Sequence, residues 1–317
     1  MATVGDAARL AVGEGRMPFP AGTTGHSTWY RVTGDLAAAR TAAQDGGPLP
    51  LVVVHGGPGA SHDYTLAMAD LAGDGRAVVH YDQLGCGRST HLPDVPKDFW
   101  TVELYVEELA ALVAHLGIGG GYHLLGQSWG GMLGPEMVLA HPEGVRTLSI
   151  CDSPASMQLW VAAANELRAL LPPDVQATLL RHEQAGTTAD PEYAEAEKVF
   201  YDRHVCRVVP NPPEVAASFA QIEADPTVYH AMNGPSEFHV VGSLLTWSVV
   251  DRLGGIAAPT LVVAGEHDEA RPSVWAPFLE NIPDVRSHVF ADSSHMPHVE
   301  APQEFLDVIG AFLRDHD

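Results

Sequence analysis

The sequence predicts an α/β protein: a mostly parallel sheet flanked by helices, with a helical lid inserted before the last strands. Three observations predict it. Short apolar strands alternate with helical patterns from Trp29 to Cys151, the pattern of a parallel sheet covered on both faces. The alternation stops at Asp152-Ser153-Pro154, and proline-punctuated helices follow to Thr246. The strand pattern then returns at Thr260 and closes on a helix.

The elements follow in order. Trp29-Tyr30-Arg31-Val32 reads as an early strand. Leu51 to His55 is a short apolar strand running into Gly56-Gly57-Pro58-Gly59. Ala77 to Tyr81 is another, entering Asp82-Gln83-Leu84-Gly85-Cys86-Gly87. Thr101 to Leu116 is a helix, with Leu104, Leu109, Leu112, Val113 and Leu116 near helical spacing. A glycine-rich turn (Gly117, Gly119, Gly120, Gly121) precedes a strand from Tyr122 to Leu125. A helix from Met132 to Ala140 and a strand from Thr147 to Cys151 complete the first half. Prolines from Pro172 to Pro235 break the insertion into short helices without a convincing strand. That insertion of about 90 residues is too long for an ordinary loop and should be a lid with its own structure. The predicted division is a core of 1–153 and 247–317 with a cap of 154–246. Strands at Thr260 to Ala264 and His288 to Phe290, then a helix from Pro302 to Leu313, finish the chain.

The chemistry is concentrated in Gly126-Gln127-Ser128-Trp129-Gly130-Gly131. It is a G-x-S-x-G nucleophile elbow in strand–turn–helix context. The glycines flank the serine because a Cβ there would meet the sharp bend. A serine so placed needs a base and an orienting acid, in the order Ser…Asp…His after later strands. Asp268 follows the strand ending at Ala264, and His295 follows the last strand. His295 Nε2 would take the Ser128 proton while Asp268 holds Nδ1–H. Asp152 is a rival acid, and His288 and His298 are rival bases. The oxyanion needs two N–H donors: Trp129, directly after the nucleophile, and Gly57, in the loop after the strand from Leu51. Gly56 beside it is a substrate-contact candidate.

His55-Gly56-Gly57-Pro58-Gly59, Tyr81-Asp82-Gln83 with Gly85-Cys86-Gly87 and Ser89, and Gly126-Gln127-Ser128-Trp129-Gly130-Gly131 together resemble the proline iminopeptidase family of α/β-hydrolases. The resemblance spans residues 26 to 315. The Gly-Gln-Ser elbow and Asn233-Gly234-Pro235-Ser236-Glu237-Phe238 look most like its tricorn-interacting aminopeptidase and L-amino-acid amidase branch. It implies an α/β-hydrolase fold and a cofactor-free serine hydrolase. Such an enzyme releases an N-terminal residue from small peptides, or hydrolyses L-amino-acid amides, through an acyl-enzyme. It also implies that Glu237 and Glu269 bind the substrate's free α-amine, a cation that needs paired negative charge in a poorly hydrated pocket. Trp129, Phe238, Trp160, Met296 and Tyr229 are candidate pocket walls.

Two departures stand out. Arg271, two residues after Glu269, would pair with Glu269 and weaken amine binding or bind a substrate carboxylate. Leu245 to Val249 lacks the charged residues that relatives carry around the tryptophan. Both favour the alternative reading, an esterase, thioesterase or acyltransferase acting on a specialised metabolite. A non-enzymatic receptor on this fold needs only the pocket, and the intact Ser, Asp and His give no reason to choose it.

Composition narrows the rest. A net charge of −23, with only two lysines among 17 basic residues, repels phosphate backbones and anionic lipid, so neither a nucleic acid nor a membrane is an expected partner. The expected partner is a small peptide or amino-acid amide, met by a monomer or small homo-oligomer. Residues 1–25 do not read as a signal peptide. Three cysteines (Cys86, Cys151, Cys206) without a CxxC pair suit reduced thiols and a cytoplasmic setting. None of the 17 histidines forms HExxH and no zinc spacing occurs, so neither metal nor cofactor is expected.

Overall fold

The computed structural model describes residues 12–20 and 24–317. Most of the segment read as lacking a signal peptide, residues 1–11 and 21–23, lies outside the described residues. Among the described residues eight strands form one sheet: β1 (Val12–Pro18), β2 (Ser27–Thr33), β3 (Leu51–Val54), β4 (Val78–Asp82), β5 (Tyr122–Gln127), β6 (Val145–Cys151), β7 (Thr260–Gly265) and β8 (Val285–Phe290). Their order is β1-β2-β4-β3-β5-β6-β7-β8. The first two pairings are antiparallel, and every pairing from β4 to β8 is parallel.

The period of the strands sorts the core into two layers. Val52 and Val54 pack on one face with Leu109, Leu112 and Leu133. Leu51 and Val53 pack on the other with Leu71, Phe305 and Ile309. Successive strand side chains point to opposite faces, so each wholly buried strand feeds both layers. The first face is covered by α1 (Leu36–Asp45), α2 (Val102–Leu116) and α3 (Trp129–Ala140). Thr101 caps α2 by accepting the Leu104 N–H at 3.1 Å, and Gly117 ends it at φ 71°.

Between β6 and β7 the chain runs through α4 (Met157–Arg168), α5 (Pro173–Ala185), α6 (Pro191–His204), α7 (Pro213–Ala224) and α8 (Thr227–Met232). Proline opens α5, α6 and α7, where its missing N–H costs nothing. Leu167, Leu179, Phe200 and Val215 form a core of their own there, which meets Ala60, Tyr64 and Met296 above the sheet. After β7 come α9 (Pro272–Asn281), then β8, α10 (Pro297–Glu300) and α11 (Pro302–Arg314). Phe305, Ile309, Phe312 and Leu313 line the buried stripe of α11. No helix among the described residues is long and apolar enough to cross a membrane.

Candidate active site

Ser128 sits between β5 and α3 with φ 56° and ψ −120°. A non-glycine residue holds such a conformation only where its surroundings impose it. Here the Ser128 N–H donates to the Cys151 carbonyl at 2.9 Å, and its own carbonyl accepts the Gly131 N–H at 2.8 Å. The flanking glycines are obligatory. A Cβ on Gly126 would lie 2.0 Å from the Gly130 oxygen, and one on Gly130 would lie 2.1 Å from the Val54 oxygen.

His295 follows β8 and Asp268 follows β7. His295 Nδ1 meets Asp268 Oδ1 at 2.8 Å, and the same oxygen accepts the Ala270 N–H at 2.9 Å. Both side chains are buried. Burial alone would lower the His295 pKa, but the Asp268 charge and hydrogen bond outweigh it and the net shift is upward. With Nδ1 so engaged, Nε2 is the nitrogen left for the cavity that His295 and Ser128 line together. The rival histidines are placed elsewhere. His288, within β8, pairs with Glu304 of α11 at 3.0 Å, and His298 gives Nε2 to the Tyr64 carbonyl at 3.1 Å. Asp152, the rival acid, lies against Asp268 and touches neither ring nitrogen of His295.

Gly57 has φ +110°, a region that needs glycine, and lines the cavity with Ser128. Trp129 opens α3, so its N–H has no carbonyl one turn earlier to use. Gly56 departs from expectation. Its N–H donates to Tyr64 Oη at 2.6 Å and so is not free for substrate, and its carbonyl already meets His55 Nδ1 at 2.8 Å. His55 Nε2 in turn accepts the Gln83 N–H at 3.1 Å, and Gln83 Oε1 accepts the Trp129 indole N–H at 2.8 Å. Gln83 thereby ties the Gly56-Gly57 loop to the start of α3.

The space around Ser128 divides in two. One cavity is bounded by Tyr64, Val215, Phe219, Ile222, His295 and Met296. The other is bounded by Trp129, Met132, Met157, Trp160 and Leu244. Gly57, Ser128 and Glu237 border both. Trp129, Trp160 and Met296 are thus pocket walls, and Tyr229 reaches the pocket by donating its hydroxyl to Glu237 Oε1 at 2.7 Å. Phe238 is not a wall. Its ring packs on Phe200 at 4.9 Å and under the Arg168 guanidinium at 4.8 Å, inside the helical insertion.

Beside Glu237 lies Glu269, only 1% exposed, with both carboxylate oxygens unpartnered. Burial, then the charges of Glu237 and Asp268, push its pKa well above the carboxylate range. Glu237 is raised by burial too, with His295 and the Tyr229 hydroxyl opposing. Glu197 on α6, which no motif marks in the sequence, joins them: burial and the Glu237 charge raise it to about 8. Arg271 does not answer this charge. Its side chain is 41% exposed and faces Glu166 of α4 at 3.7 Å, while only its N–H meets the Glu269 carbonyl.

The α/β-hydrolase fold family matches residues 50–302. A proline iminopeptidase of Lactobacillus helveticus (strain DPC 4571) is 35% identical over 306 residues, covering 96% of this chain and 98% of the relative. The chain belongs to the proline iminopeptidase family of α/β-hydrolases. Among solved structures, the proline iminopeptidase of Mycobacterium smegmatis is 55% identical with a TM-score of 0.85, covering 96% of this chain and 98% of that one. A structure described as VinJ is 52% identical with a TM-score of 0.91, covering 96% and 99%. The family membership accounts for the resemblance read in the elbow and the two loops.

Two groups of acidic and histidine side chains among the described residues come within ligand distance of one another: His182, Asp190 and Glu192, and Glu266, His267 and Asp292. Asp190 caps α6 and Glu192 pairs with Arg181 at 2.7 Å. Neither group includes Ser128, Asp268 or His295.

Proposed function

We propose that this serine hydrolase removes the N-terminal residue, proline as in its namesake relatives, from small peptides or hydrolyses L-amino-acid amides, with Ser128, His295 and Asp268 as its catalytic residues. Ser128 Oγ attacks the carbonyl carbon while His295 Nε2 takes its proton. The oxyanion forms between the N–H groups of Gly57 and Trp129. As the intermediate collapses, His295 gives the proton to the leaving amine, and an aminoacyl ester remains on Ser128. Water, deprotonated by His295, then releases the amino acid. Asp268 holds the imidazole tautomer and stabilises the imidazolium.

The observation that carries the amine-terminal specificity is Glu269: a buried carboxyl with two unpartnered oxygens, near Glu237, which borders the nucleophile's pocket, and near the triad acid Asp268. A buried carboxyl ionises readily only against a cation, and a substrate ammonium supplies one. The residues 154–246 act as a cap that bounds the pocket and limits substrate length. The esterase alternative drew on Arg271, whose guanidinium faces Glu166 rather than the pocket.

Quenched-flow mass spectrometry tests the reading. A prolyl arylamide should add one prolyl mass to the peptide carrying Ser128. Its N-acetylated counterpart should add none. Labelling by the acetylated substrate alone would overturn the assignment.

A further inference from the structure

Asp152 ends up beside the triad acid without being the triad acid. It directly follows β6 at φ 54°, a left-handed conformation for a non-glycine residue, with its N–H on the Val263 carbonyl of β7 at 2.8 Å. Its carboxyl is wholly buried within hydrogen-bonding reach of Asp268. Asp268 Oδ1 is spent on His295 and Ala270, while Asp268 Oδ2 has no donor and the Asp152 oxygens have none beyond the nearby Gly265 N–H. Two ionised carboxylates give four acceptors and no proton to share between them. A single proton resolves the conflict.

We propose that Asp152 is a protonated positioning residue, whose carboxylic acid O–H donates to Asp268 Oδ2 and fixes the carboxylate that holds His295. The proton resides on Asp152 because Asp268 faces a histidine and Asp152 faces none. Around Asp152 stand the Asp268 carboxylate, the Gly265 N–H, Glu300 of α10, Tyr64 and the Cys151 thiol, and none of these is a cation that would favour its ionisation. Burial first, and the Asp268 charge second, hold its pKa well above the carboxylate range. The proton stays put during turnover: Ser128 exchanges protons only with His295. What Asp152 supplies is a second anchor for Asp268, opposite its bond to His295. The donated bond also withdraws charge from Asp268 and so moderates its lift on the His295 pKa.

This inference deepens the assignment of Asp268 and His295 and rests on it for its kinetic arm only. Asp152→Asn keeps a donor for Oδ2 and suits the left-handed backbone. Asp152→Gly removes the donor and relieves the backbone. The Asn variant should retain kcat within about threefold, whereas the Gly variant should lose between about tenfold and a hundredfold in kcat, with KM little changed. In the Gly variant the acid limb of the pH–rate profile should also move to higher pH, because Asp268 has lost its second donor. Infrared difference spectra at neutral pH should show a protonated carboxyl in the native protein that Asp152→Asn abolishes. That arm is independent of substrate and distinguishes failure of this inference from failure of the proposed function. Absence of the carboxyl band, an Asn variant as impaired as the Gly variant, or a Gly variant with native kcat and pH profile would each overturn it. If the Gly variant does not fold, the Asn variant and the infrared band decide the matter.

Discussion

Gln127 Nε2 donates to the main-chain carbonyl of His295 at 2.8 Å. The residue before the nucleophile therefore holds the loop of the base. Its other end accepts the Tyr64 hydroxyl, which in turn accepts the Gly56 N–H. One buried chain of hydrogen bonds thus joins the oxyanion loop, the elbow and the histidine loop, so that the positions of Gly57, Ser128 and His295 are set together. Preorganisation of this kind removes the reorganisation cost at the moment of reaction.

Breaking that chain should cost kcat rather than binding. Gln127→Met keeps the volume but orphans the His295 carbonyl and the Tyr64 hydroxyl, each worth about 1–3 kcal/mol of desolvation penalty. Steady-state kinetics should show kcat falling about tenfold or more with KM nearly unchanged, and thermal unfolding should shift down. A variant with native kcat would show that the two loops are fixed independently.

The pH profile should carry the mark of the His295–Asp268 pair. His295 must be neutral at Nε2 to accept the Ser128 proton, and Asp268 raises its pKa. Activity should rise with pH through a limb lying above the ordinary histidine value of about 6.5. Asp268→Asn removes the charge, so the limb should move down while kcat drops by about 10⁴, as loss of the tautomer lock does elsewhere.

Much of this site can be read in the sequence, and the exceptions have physical reasons. Ser128, Asp268 and His295 announce themselves because each stands just past an apolar strand, where a parallel sheet exposes its carboxyl ends. Tyr64 gives no such signal: it lies in a 3-10 stretch from His62 to Asp74 and meets Gln127 only through the fold. Gly56 and Gly57 are alike in sequence, and only the Tyr64 hydroxyl tells which N–H is free. Phe238 follows Glu237, but adjacent residues of an irregular segment point apart, one to the pocket and one to Phe200. Among the elements, β1 (Val-Gly-Glu-Gly-Arg-Met-Pro) passes unnoticed because it is largely exposed and carries no apolar run. The helix α9 is obscured by Pro277 within it.

Amine binding should release protons. Burial and the charges of Glu237 and Asp268 raise the Glu269 pKa, and an incoming ammonium favours the ionised form and should draw the proton off. Calorimetric titration of Ser128→Ala with L-prolinamide, run in buffers of different ionisation enthalpy, should report net proton release. Adding Glu269→Gln should diminish the release and weaken Kd by about thirtyfold or more. Unchanged proton release would place the amine away from Glu269.

The elbow should tolerate no methyl group. Gly126→Ala drives a Cβ to 2.0 Å from the Gly130 oxygen, which is backbone and cannot swing aside. The expected destabilisation is at the upper end of the 1–3 kcal/mol typical of overpacking, or beyond it. Denaturant unfolding should show it, with activity lost in any folded fraction. A variant of native stability would contradict the packing described around Ser128.

The most direct measurement is the ratio of kcat/KM for a prolyl arylamide with a free amine to that for its N-acetylated form, in the native enzyme and in Glu269→Gln. A large ratio that collapses in the variant, with both activities abolished by Ser128→Ala, is the predicted result. A ratio near unity in the native enzyme, with Ser128-dependent turnover of both substrates, would contradict recognition of the amine by Glu237 and Glu269.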